Sequence, residues 1–129
     1  MESTQYFARQ VAVPEFGVEG LRQLQSKCVG IAGVGGVGSS AAYYLAKSGI
    51  GKLLLIDQDI VDSSNLQRVH MVSDHDLYHP KAEAVARNLR NDGIAASTKA
   101  TVDTITDRNV DQLFGEADLV FDGLDNFRT

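Results

Sequence analysis

Apolar positions recur along this chain in two rhythms, and each predicts a different kind of element. Phe16, Val18, Leu21 and Leu24 return at near-helical spacing, predicting a short amphipathic helix from about Gly17 to Ser26. Val29 to Ala32 reads as a buried strand, and the small residues Ala41, Ala42 and Ala46 mark a helix over Ser39 to Lys47 that can pack closely on a sheet, with Gly49 and Gly51 ending it. Lys52-Leu53-Leu54-Leu55-Ile56 is a continuous apolar run, as in a parallel strand buried on both faces. Pro80 suits the first turn of a helix whose inward stripe is Ala82, Val85, Ala86 and Leu89, with Gly93 beyond its end. Ala95 to Val102 reads as a third strand, Asp107 to Phe114 as a helix, and Asp118 to Asp122 as a fourth strand.

Strands alternating with helices predict an α/β fold with a mainly parallel, doubly wound, Rossmann-like sheet. Right-handed crossovers then set the strand order 3-2-1-4. Residues 1–27 are expected to form an N-terminal arm and helix, with Arg9 on a mobile stretch, and residues 28–129 the Rossmann-like core of one domain. The last residues follow the fourth strand directly, which is the pattern of a domain truncated after that strand.

Composition narrows the possible partners. With 12 basic and 17 acidic residues the net charge is −5, against bulk electrostatic binding of nucleic acid. The N-terminus lacks a basic stretch followed by an apolar run, and no apolar segment has the length of a membrane span, so a soluble protein without a membrane partner is expected. Cys28 is the sole cysteine, which excludes an internal disulfide and fits a reducing, cytoplasmic setting. It opens the first strand, where packing is its expected role. His70, His75 and His79 lack a metal-ligand spacing.

The candidate chemistry lies where strands end. Gly33-Val34-Gly35-Gly36-Val37-Gly38 joins a strand to a helix, so backbone N–H groups and the helix's positive end can face a phosphate. Asp57 follows Gly38 by 19 positions and closes the second strand, where an acid suits a ribose hydroxyl. By themselves these residues favour NAD, since the acid suits a 2′-hydroxyl and excludes a 2′-phosphate, although ATP carries the same ribose diol. Asn65, Gln67 and Arg68 follow on a short connection, bringing amides and a guanidinium suited to phosphate oxygens; Arg68 alone could equally be a solvated charge. Lys81 stands at a helix start, where a cation gains nothing from the helix dipole, so a reach toward phosphate would explain it; an exposed lysine needs no explanation. Asp122 and Asp125 bracket the end of the last strand. There Asp125 either holds Mg²⁺ or caps a helix begun by Asn126-Phe127-Arg128.

Taken together, Arg9-Gln10, Gly33 to Gly38, Asp57-Gln58-Asp59, Ser64-Asn65-Leu66-Gln67-Arg68, Pro80-Lys81 and Asp125-Asn126 closely resemble the adenylation domain of the ubiquitin-activating enzyme superfamily, whose small members include the molybdopterin- and thiamine-biosynthesis adenylyltransferases. The resemblance runs through essentially the whole chain and turns a generic nucleotide site into an ATP site. It implies attack by the C-terminal glycine carboxylate of a ubiquitin-like or sulfur-carrier protein on the α-phosphate of Mg·ATP, giving an acyl-adenylate and pyrophosphate. Carried over by position, Gly33, Gly35, Gly36 and Gly38 form the nucleotide loop and Asp57 holds the ribose. Ser64, Asn65, Leu66, Gln67 and Arg68 form the motif on ATP and its phosphates. Lys81 binds phosphate, and Asp125, beside Asn126, organises Mg²⁺. Arg9 resembles the family's arginine finger, which in homodimeric members enters the neighbouring subunit's site, so a homodimer is implied.

Full members of that superfamily continue into further strands, a carrier-binding surface, often a catalytic cysteine and often paired CxxC zinc motifs, none of which these residues contain. The alternatives are an NAD-binding regulatory or dehydrogenase domain and a catalytically silent partner subunit. Neither requires Arg68, Lys81 and Asp125 to share a purpose. Activation of a tRNA-base carboxylate, a branch of the same superfamily, fits less well because no basic patch is evident.

Overall fold

In the computed structural model, which describes residues 3–126, four parallel strands form one sheet. They are β1 (Cys28–Ala32), β2 (Lys52–Ile56), β3 (Ser97–Thr101) and β4 (Leu119–Asp122), in the spatial order β3-β2-β1-β4. That is the predicted doubly wound order. In register, Val29 lies beside Leu53 on one side and Leu119 on the other, so all four strands deliver their carboxyl ends to the same edge.

Because side chains alternate across a strand, one sequence fills two layers. Val29, Ile31, Leu53 and Leu55 face one core, which is covered by the helices α4 (Gly36–Ser48) and α5 (Lys81–Asn91) through Ala42, Ala46, Val85 and Leu89. Cys28, Ala32, Leu54 and Ile56 face a smaller core closed by Phe114 of the five-residue helix α6 (Val110–Phe114). Gly30 makes that closure possible, since a Cβ there would overlap the Phe114 ring. Cys28 is buried in β1 as expected, and burial pushes its thiol pKa up, with the nearby acids adding to the rise. The edge strand β4 stays largely uncovered: Leu119 and Val120 are exposed.

Four details depart from the hydrophobic pattern. α4 starts at Gly36, three residues before the alanine stripe suggests, so the last glycines of the loop form the helix's first turn. The segment expected as a mobile arm contains two short helices, α1 (Ser3–Tyr6) and α2 (Ala8–Val11), ahead of α3 (Gly17–Gln25). Arg9 therefore sits on a helix, and the neighbouring Gln10 donates its amide Nε2–H to the Ser48 carbonyl at 2.8 Å, fixing α2 to the far end of α4. The expected third strand is shorter at both ends, and α6 begins three residues later than predicted. No described helix is long and apolar enough to cross a membrane.

Candidate functional site

The carboxyl edge of the sheet opens into a cleft of about 700 Å³, and most of the residues marked by the sequence meet there. Its floor is the glycine loop. Gly33 adopts φ +82°, the left-handed region that favours glycine. Gly38 sits so close to the Gly33 carbonyl that a Cβ there would overlap the oxygen, so the loop can fold onto the start of α4 only with glycine at this position. Gly33, Gly35 and Gly36 line the cleft, while Gly38 is buried beneath it. Backbone donors at the start of a helix then face the opening, the arrangement that receives phosphate.

Asp57, carried to the edge by β2, is nearly buried. Its Oδ2 accepts from the Val34 N–H at 2.9 Å and its Oδ1 from the Asp59 N–H at 2.8 Å. The carboxylate thus ties the glycine loop to the end of β2. Two oxygens with about four acceptor sites leave room for ribose hydroxyls as well.

Past β2 the chain forms a one-turn 3₁₀ helix, Ser63–Asn65, closed by a reciprocal cap: the Asp62 carboxylate accepts from the Ser64 N–H at 2.6 Å, and the Asp62 N–H donates to Asn65 Oδ1 at 3.0 Å. The Ser64 hydroxyl donates to Asp62 at 2.5 Å, so Ser64 serves the turn's own geometry. These bonds from Ser64, with the field of Lys81, hold the Asp62 carboxyl pKa below the usual range. Asn65 is buried, and the Arg68 and Val69 N–H groups both donate to its carbonyl. The turn thereby aims Arg68 back over the loop, its Nη1 3.6 Å from where a Gly36 Cβ would stand. Leu66 and Gln67 are not among the residues that line the cleft.

Lys81 opens α5 and is buried along its length, with 7% of its side chain exposed. Its backbone N–H donates to the Asp59 carbonyl at 2.9 Å and its Nζ lies 3.6 Å from Asp59 Oδ2. The side chain thus lies buried at a helix start, lines the cleft, and meets in Asp59 a carboxylate that is itself mostly exposed. The surface-lysine explanation fails.

Asp125 and Asn126 line the opposite wall beyond β4. The capping role considered for Asp125 involves residues 127 and 128, which lie outside the described residues. Among the described residues no group of three or more acidic, histidine or cysteine side chains could hold a metal alone. A cation held beside Asp125 would have to take its remaining ligands from a bound molecule and water.

Arg9 is not in this cleft. It lies at the Ser48 end of α4, and the 13 residues of that helix separate it from the glycine loop by ~20 Å. Conversely, Asp103, Thr104 and Ile105 beyond β3, with Gly123 and Leu124 beyond β4, line the cleft although their local sequence carries no motif. The one available signal was their position just past a predicted strand. Thr104 hydrogen-bonds Gln58 across the strand ends, and Ile56, Ile105 and Leu124 supply apolar wall suited to a flat base.

The profile of the ThiF family matches residues 7–129. The SAMP-activating enzyme E1 of Haloferax volcanii is 37% identical over 123 residues, which are 95% of this chain and 46% of that protein. Adenylyltransferase and sulfurtransferase MOCS3 of Arabidopsis thaliana is 32% identical over 120 residues, 93% of this chain and 26% of that one. Among solved structures, E. coli tRNA N6-threonylcarbamoyladenosine dehydratase, TcdA, in complex with ATP superposes with a TM-score of 0.86 at 31% identity, covering 97% of this chain and 51% of that one. The chain spans less than half the length of the two curated relatives.

Proposed function

The chain belongs to the ThiF family, and from that membership and the contents of the cleft we propose that it binds Mg·ATP as the nucleotide half of an adenylyltransferase that activates a ubiquitin-like or sulfur-carrier protein ending in glycine. In the proposed step a carboxylate oxygen of the terminal glycine attacks the α-phosphorus, the bond to the bridging oxygen of the β-phosphate breaks, and pyrophosphate leaves. Such a displacement asks the protein for alignment and charge neutralisation rather than for a nucleophile of its own. The observation that carries the reading is the convergence of the Arg68 guanidinium, laid over the glycine loop, with the buried Lys81 ammonium in the same cleft.

Charge balance supports the same reading and adds a requirement. Among the described residues, Asp57, Asp59, Asp62, Asp103 and Asp125 line the cleft against Arg68 and Lys81. Triphosphate entering this surplus of acid needs further positive charge. Mg²⁺ shared with Asp125 would supply part, screening the phosphates and polarising the α-phosphoryl oxygen when bound. A partner's arginine would supply the rest. Arg9, exposed and ~20 Å from its own cleft, has the placement of a group that serves a second copy of the chain, which is the homodimer this reading implies.

Relatives named for adenylyl transfer and SAMP activation, and a neighbour solved with ATP, support this class over an NAD domain or a silent subunit. Calorimetric titration tests it directly. Mg·ATP should bind, and more tightly than NAD, while tighter NAD binding would overturn the proposal. In the longer protein, exchange of labelled pyrophosphate into ATP should require a glycine-ending carrier and should vanish in the Arg68→Ala/Asp125→Ala double variant.

A further inference from the structure

Ser39 is completely buried in the second turn of α4. Its hydroxyl oxygen accepts the His70 backbone N–H at 2.9 Å, bridging 31 positions of sequence. Serine is a poorer helix former than the alanines that follow it, so a buried hydroxyl here is explained by what it bonds rather than by the helix.

What it bonds is the segment that carries Arg68. At one end of that segment the Arg68 and Val69 N–H groups are tied to the Asn65 carbonyl. At the other end Met71 adopts φ +64°, an unusual conformation for a side chain of its size, and its carbonyl accepts the Asn88 amide at 2.7 Å. Between these ties two hydrogen bonds among the described residues join the segment to the helix under the phosphate loop: the partly buried one from the His70 N–H to Ser39, and the exposed side-chain contact of Ser40 with His70 at 3.2 Å. Arg68 packs onto Gly36 through its carbonyl oxygen at 3.6 Å and its Cβ at 3.8 Å, measured from the position of a Gly36 Cβ. The guanidinium therefore hovers over the loop because its backbone is held against α4.

We propose that Ser39 is a positioning residue: its hydroxyl clamps the Arg68 segment onto α4 and so sets the guanidinium over the phosphate subsite. This rests on the Mg·ATP reading above. Ser39 touches no ligand and acts through Arg68 alone.

The test is a titration of the chain with Mg·ATP and, separately, with adenosine, which has no phosphates for Arg68 to meet. Ser39→Ala should weaken Mg·ATP roughly 5-fold, part of the worth of one charge-assisted hydrogen bond, and leave adenosine unchanged. In an Arg68→Ala background the same substitution should cost nothing further, because the group it positions is gone. Ser39→Cys, which keeps a weaker acceptor in a similar volume, should fall between alanine and wild type. Backbone exchange at the His70 amide should be protected in the wild type and faster in Ser39→Ala. Equal losses for Mg·ATP and adenosine, or an undiminished loss in the Arg68→Ala background, would overturn the clamp while leaving the nucleotide reading standing. A wild-type chain that ignores Mg·ATP would instead overturn that reading, and the clamp with it.

Discussion

Replacing Asp76 with alanine should lower the stability of this fold by about 3 kcal/mol at neutral pH. Asp76 is 3% exposed and lies in the 3₁₀ turn Asp74–Asp76 on the crossover between β2 and α5. Its carboxylate accepts from the Ser73 N–H at 2.9 Å, the Ser73 hydroxyl at 3.3 Å, Asn88 Nδ2 at 2.9 Å and Arg87 Nη2 at 2.5 Å. Hydrogen bonds to an ionised group are each worth roughly 1.5–3 kcal/mol, but the losses are not additive here. Asn88 retains the Met71 carbonyl, and the Arg87 guanidinium, 43% exposed, can turn to water. About 1 kcal/mol each for the Ser73, Asn88 and Arg87 contacts is the reasoned remainder. At roughly 4 °C per kcal/mol for a domain of this size, the melting temperature should fall by ~12 °C.

The pH dependence separates this account from a simple packing loss. Burial raises the Asp76 carboxyl pKa, but the hydrogen bonds from Ser73, Arg87 and Asn88, with the Arg87 charge, outweigh it and leave the net value below the usual range. A carboxyl depressed in the native state contributes its stability above the unfolded value of roughly 4 and loses it as pH falls through the native value. The gap between wild type and Asp76→Ala should therefore be full at pH 7 and close below roughly pH 4. Urea unfolding at stepped pH, with the denaturant slope checked for constancy, measures it. A gap under ~1 kcal/mol at pH 7, or one that persists unchanged into acid, would refute the reasoning.

Two further substitutions probe the site's framework and its chemistry. Gly38→Ala forces a methyl into the Gly33 carbonyl and should cost 3 kcal/mol or more, on the order of a severe core defect, seen as loss of cooperative unfolding in urea. Lys81→Met keeps the buried stem and removes the charge, so titration should show Mg·ATP weakened by roughly 10–100-fold while the melting temperature holds or rises.

Legibility differed by scale. β1 and β2 were plain, because a short, almost wholly apolar run has few solutions, and right-handed crossovers then leave one order for the four strands. Helix starts were harder: α4 begins on glycines that any propensity argument assigns to a loop, and they are helical because the chain must turn closely under the Gly33 carbonyl. The short helices α1 and α2 carry no apolar stripe of their own. Of the four residues of α2, none is buried, and it is held by the buried Phe7 at its start and by one amide on another helix's last carbonyl.

Motif residues split the same way. Glycines, Asp57, Arg68 and Asp125 could be marked because their chemistry is local to a strand end. The sequence alone thus determined that a parallel sheet would present a glycine loop, an acid and two cations at one edge, since periodicity and crossover handedness are properties of neighbouring residues. Only the tertiary structure decided that Lys81 is buried rather than solvated, and that Gln67 is not among the residues lining the cleft. It also decided that Asp103 and Thr104 complete a wall, that Arg9 stands at the far end of α4, and that Ser39 reaches His70. Burial and long-range hydrogen bonds depend on which distant segments pack together, and no local spacing encodes that.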